Sequence, residues 1–181
     1  MNYATIKNCD IANGPGVRVS LFVSGCTHRC KGCFNEVAWD FDYGQPFTQQ
    51  TINEILNMLK PDHIQGLTLL GGEPFEPQNQ PALVDLLRQV KEKYPKKSIW
   101  AFSGYLFDKD ILPGRLGDPE ITKEFVSYLD VLVDGPFVEA KKNLMLRFRG
   151  SANQRLIDVP ASLKSGEIVL WQDWQGERSF V

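Results

Sequence analysis

The apolar positions of this chain alternate between two rhythms. Residues 17–24, VRVSLFVS, form a β-branched, almost unbroken apolar run between Gly16 and Gly25, which predicts a buried strand. From about Thr48 or Thr51 to Lys60 the period changes to that of a helix. Ile52, Ile55, Leu56 and Leu59 share one face, Thr51 and Glu54 suit a capping box, and Pro61 ends the run. GLTLL (66–70) is a second strand, closed by Gly71-Gly72-Glu73-Pro74. A second helix starts near Pro81, carries Leu83, Leu87, Val90 and Tyr94, and stops at Pro95. SIWAFS (98–103) is a third strand. Residues 106–118, with Pro113, Gly114 and Gly117, read mainly as loop. A third helix runs from Pro119 to Leu129 with Ile121, Phe125 and Leu129 aligned, and VLVD (131–134) is a fourth strand. Beyond Gly135 the pattern weakens, and EIVLW (167–171) reads as a late strand at an edge.

Strands alternating with helices give right-handed crossovers and a parallel sheet, and fully apolar strands fit burial on both faces. Ligands in such folds gather beyond the carboxyl ends of the strands. The segment after residue 24, Gly71-Gly72-Glu73, Ser103-Gly104 and Asp134-Gly135 all fall at those ends. The pattern therefore predicts one functional face.

Composition narrows the picture only a little. The 181 residues are 43% hydrophobic and 23% charged with a net charge of -2, as expected of one globular domain. A basic balance of the kind a nucleic-acid binder carries is absent. No apolar run approaches the ~20 residues of a membrane span. The N-terminal MNYATIKNCD has no apolar signal region, so a cytoplasmic protein is expected.

The chemistry lies in CTHRCKGC (26–33). Cys26, Cys30 and Cys33 follow a C-x3-C-x2-C pattern, and the fourth cysteine, Cys9, lies far upstream. The loop is too polar for three buried thiols. Structural zinc wants four ligands, and the single C-x2-C pair would need Cys26, or His28, plus the distant Cys9 to complete the set. A redox pair at Cys30 and Cys33 leaves Cys26 unexplained. Three thiolates holding three irons of a [4Fe–4S] cluster, with the fourth iron open for chemistry, fits best; zinc stands second.

This cysteine pattern after a first strand resembles that of the radical S-adenosylmethionine enzymes, and Gly71-Gly72-Glu73-Pro74 resembles their GGE motif. NGPGVRVSLFVSGC (13–26) is similar to the GPG-x-R entry of glycyl radical enzyme activases. Trp39, GQPFT (44–48), PQN (77–79), IW…SGY (99–105), VLVDGPF (131–137) and RGSANQR (149–155) extend the likeness to activators of anaerobic (class III) ribonucleotide reductases over residues 1–155. The resemblance implies a partial, open (β/α) barrel of mainly parallel strands, with residues 156–181 as a C-terminal extension of one 181-residue domain. It implies a [4Fe–4S] cluster on Cys26, Cys30 and Cys33, and S-adenosylmethionine held by Gly32, Cys33, Phe34, Gly72 and Glu73. Glu73 would meet the methionine ammonium. Many members carry an aromatic just before the third cysteine, where this chain has Gly32, with Phe34 just after it. The implied substrate is a glycine Cα–H near the C-terminus of the large reductase subunit, and the implied donor is reduced flavodoxin or similar. Other glycyl radical activases, 7-carboxy-7-deazaguanine synthase-like enzymes and a non-catalytic iron–sulfur or zinc protein are the alternatives.

The remaining candidates have plainer readings. His28 is expected to be a solvated loop residue rather than a ligand, and Cys9 a small packing residue. His63 has no assigned role. Ser103 and Asp134 divide between ligand contacts and turn or helix caps. Arg147, Arg149 and Arg155 form a local basic patch, and Phe137, Phe148, Trp171 and Trp174 read as packing.

Overall fold

The computed structural model describes residues 1–172. In chain order the elements are β1 (Asn2–Asp10), β2 (Val17–Val23), β3 (Gln45–Pro46), α1 (Gln49–Leu59), β4 (Ile64–Gly71), α2 (Gln80–Lys93), β5 (Ser98–Phe102), α3 (Pro119–Ser127), β6 (Val131–Asp134), β7 (Arg155–Asp158) and α4 (Val159–Ser165). The strands form one open sheet in the order β3-β1-β2-β4-β5-β6-β7. The central β2, β4, β5 and β6 are parallel, as the βα alternation requires. Both flanks are antiparallel, so the sheet is mixed rather than mainly parallel.

The departures have physical causes. β1 carries Lys7, Asn8 and other polar residues because most of it is exposed or half-buried, so no apolar run announces it. β7 is only four residues long. The expected late strand 167–171 instead lies along the outer edge of β7, with one bridge from Ile157 to Leu170. Within 106–118, Phe107–Ile111 closes as a π-helical turn that buries Phe107 and Ile111. Of the two expected starts of α1, Thr48 is the N-cap; the capping box forms three residues earlier than expected, between Thr48 and Thr51, while Glu54 faces solvent and accepts from Gln50.

Alternation along the central strands sorts the core into two layers. Val19, Leu21 and Val23, Leu67 and Leu69, Ile99 and Ala101, and Leu132 face the helices and join Ile55, Leu59, Leu83, Leu87 and Phe125. The intervening residues face the other way. There Trp100, Val131 and Val133 meet Phe102, Phe148, Leu156 and Trp171, with Trp100 set edge-on to both Phe148 and Trp171.

That second layer holds a fully buried Arg18. Its Nε donates to Thr68 Oγ1 at 2.7 Å and its two Nη atoms to Ser98 Oγ, Ser98 O and Leu67 O at 2.9 Å. Trp100 lies beneath the guanidinium. Burial lowers the Arg18 pKa to about 10 against the opposing pull of Asp130 and Asp10. Thr68 passes the network on by donating to Asn13 O. The G-P-G-x-R entry now has a reason: Arg18 pins the preceding turn, and a Cβ on Gly14 (φ +132°) would lie 2.8 Å from Arg18 Cδ.

Candidate functional site

At the carboxyl ends of the parallel strands is a cleft of about 520 Å³. It gathers Cys26, Cys30, Gly32, Cys33 and Phe34 with Gly71, Gly72 and Glu73, and with Ser103 and Gly104 after β5 and Gly135 after β6. Segments far apart in sequence thus meet on one face, as the strand order predicts. Trp39 and the 142–150 segment complete the walls.

The cysteine loop leaves β2 along a fixed track. Gly25 N donates to Ala38 O at 2.8 Å and Cys26 N to Trp39 O at 3.2 Å, while Glu73 N donates to Gly25 O at 2.8 Å. The double glycine is required by this crossing. Gly71 adopts φ +106°, and a Cβ on Gly72 would lie 2.5 Å from Gly25 O. The glycines therefore let the turn approach the chain's own backbone.

Glu73 is 1% exposed, and both its oxygens are occupied. Oε1 accepts from Phe75 N and Ser103 Oγ; Oε2 accepts from Gly104 N at 2.7 Å and lies 3.1 Å from His28 Nε2. Glu76, also buried, accepts from both Thr27 N and Thr27 Oγ1 through Oε1, at 2.7 and 2.6 Å. Asn79, the residue just before α2, ties Ser24 O and Glu73 O together.

His28 is not the solvated residue expected from its loop position: its side chain is 18% exposed and packs against Tyr105, ring centroids 4.3 Å apart and planes tilted by 60°. Burial works against its charge, but the hydrogen bond and charge of Glu73, with Glu76 and Asp110 beyond, raise its pKa overall. The same carboxylates raise Cys26 as well, where the effect disfavours the charged form. Burial, reinforced by Glu73 and Glu76, pushes its thiol up to about 11, although backbone donors of His28 and Arg29 pull it down. All four cysteines are free thiols.

Among the described residues no three His, Cys, Asp or Glu side chains are arranged to hold a single metal ion. An iron–sulfur cubane asks for something different, one thiolate per iron spread around a bulky cluster. Three free thiols on one short loop, all opening on one cleft, supply that donor set. Cys9 is not a packing residue: it is exposed on β1, in a separate depression with Met58 and His63 that shares no residue with the cleft.

The other candidates divide. Ser103 lines the cleft and serves Glu73. Asp134 is fully buried and engaged by Arg155, which also reaches Asp108, so Arg155 is a structural cation rather than part of a solvated patch. Arg149 donates to Gln154 O, and Arg147 lies over Phe148. Phe34 is 87% exposed at the cleft mouth. Trp174 lies outside the described residues. Sequence reasoning missed Arg18, Thr27, Glu76 and Asn79, whose partners lie dozens of residues away. Only the arginine of G-P-G-x-R carried a local signal.

Comparison with known proteins adds independent observations. Residues 12–157 match the family described as a 4Fe-4S single cluster domain. Over 158 residues the chain is 44% identical to an anaerobic ribonucleoside-triphosphate reductase-activating protein of Enterobacteria phage T4, covering 86% of this chain and 93% of that protein. Proteins of the same name from Pasteurella multocida and Escherichia coli are each 42% identical over 156 residues, covering 85% of this chain and 95% and 96% of theirs.

Proposed function

This chain belongs to the family of anaerobic ribonucleoside-triphosphate reductase-activating proteins, and from that membership we propose that it generates the glycyl radical of its reductase by reductive cleavage of S-adenosylmethionine at a [4Fe–4S] cluster. The observation that carries the reading is the meeting, in one cleft, of three free thiols with the Gly71-Gly72-Glu73 turn. When bound and reduced, such a cluster would supply the electron for cleaving the sulfonium of S-adenosylmethionine, the chemistry that activation of a glycine Cα–H calls for.

The chain's own residues place and shield these partners. Cys26, Cys30 and Cys33 would hold three irons. Gly72 and Glu73 take the methionine end of S-adenosylmethionine. With four donors already on its carboxylate, Glu73 offers an ammonium a fixed negative charge rather than a vacant oxygen. Gly32, Cys33 and Phe34 take the adenosine side, where the exposed Phe34 ring provides a stacking surface. The open sheet, a partial barrel in this reading, leaves its mouth accessible to a polypeptide loop of the large reductase subunit. Reduced flavodoxin or a similar low-potential donor supplies the electron.

The test is anaerobic reconstitution with iron and sulfide, followed by reduction and addition of S-adenosylmethionine. 5′-Deoxyadenosine is the expected product, and adding the reductase should give a glycyl radical doublet by EPR. A fully loaded cluster with no cleavage would sink the proposal. Cleavage without the doublet would point to a different radical enzyme.

A further inference from the structure

We propose that His28 is a positioning residue, a latch that fastens the cysteine loop to the ends of the neighbouring strands. The inference rests on the reading above only in taking the loop to carry the cluster. The latch has three fitted parts. Glu73 holds His28 Nε2 at 3.1 Å, Tyr105 walls one side of the ring, and Gly104 forms its seat. A Cβ on Gly104 would lie 2.6 Å from His28 Cδ2 and Nε2, so that position must remain glycine for the ring to dock. Thr27, beside it, is held twice by Glu76.

The need for a latch is visible in the rest of the loop. Arg29, the next residue, sits at φ +46°, a conformation that a non-glycine residue adopts only when its surroundings impose it. It turns the chain from the anchored half toward Cys30. The second half is held more lightly, by a Cys33 N to Cys30 O bond and by the exposed Lys31–Glu139 pair. The spacing of three between the first two cysteines therefore accommodates an anchor. Residues Thr27 and His28 face inward to the two buried carboxylates, and Arg29 makes the turn.

The experiment uses the full chain with its cluster reconstituted anaerobically, and reads the rate of iron release to a chelator without S-adenosylmethionine. H28A and G104A should each release iron roughly tenfold faster than the parent chain, the scale on which residues supporting metal ligands act. The double variant should be no faster than the singles, since both break one contact. H28Q keeps an N–H donor for Glu73 and should recover most of the loss. Metal-free melting temperatures should stay within about 4 °C of the parent. Parent-like iron release from H28A and G104A, multiplied effects in the double variant, or an altered cluster EPR spectrum in H28Q of the kind ligand loss produces would each overturn the latch. A parent chain that loads its cluster yet leaves S-adenosylmethionine intact overturns the functional reading and not the latch.

Discussion

Two carboxylates close the carboxyl ends of strands in this sheet, and the protein treats them differently. Asp134, at the end of β6, is fully buried and neutralised from within by the Arg155 guanidinium, which Asp108 also braces. Glu73, just after β4, is 1% exposed and receives two backbone amides, a hydroxyl and an imidazole. The first is a closed ion pair. The second is a carboxylate held by neutral donors and one imidazole on the wall of a cleft, with no guanidinium or ammonium of the described residues upon it. A buried charge is costly unless something compensates it. The contrast therefore separates a strand end built for stability from one built to meet a cation.

Substitutions can break or sharpen that contrast. The largest effect belongs to the cleft side. Cys26→Ala, Cys30→Ala or Cys33→Ala should each abolish 5′-deoxyadenosine formation, while Cys9→Ala, exposed and remote, should leave it intact. On the other side, Asp134→Ala leaves Arg155 with Asp108 alone and should cost about 3 kcal/mol in urea unfolding, with the KM for S-adenosylmethionine of the folded fraction unchanged. Glu73→Gln should show the reverse balance, a smaller stability loss of about 1–3 kcal/mol and a KM raised about tenfold. Equal KM effects from these two carboxylates would erase the distinction. The smallest effect is at Asp108, whose carboxyl the Arg155 hydrogen bond holds below the usual range. A lowered pKa stabilises the fold above the unfolded-state value and loses that contribution as pH falls through the folded one. Asp108→Asn should thus cost under about 1 kcal/mol at neutral pH, screened by solvent, and the gap should close in acid.

The sequence made the middle of the sheet legible and its flanks opaque, for one reason. β2, β4, β5 and β6 are packed on both faces over most of their length, so their apolar runs are nearly continuous. β1 is largely exposed, and β7 is short and half-buried. EIVLW is apolar enough to mislead, yet it contributes a single bridge. The site shows the same divide. Cys26, Cys30, Cys33 and Gly71-Gly72-Glu73 lie close together within their own motifs, and the strand order brings those motifs together. His28, Thr27 and Glu76 act through partners 45 to 49 residues away, which no local pattern reveals. Asp134 looked equally able to cap a turn or hold a ligand until Arg155 was found beside it.

Trp39 gives the fold a use beyond architecture. Its carbonyl anchors Cys26, and the residue lines the same cleft as the three thiols, whereas Trp100 and Trp171 pack against each other in the layer beneath Arg18. The protein thus carries a native optical reporter beside its site. Filling the cleft with a light-absorbing cluster should dim this tryptophan's emission, so occupancy can be followed in the native chain without an attached label.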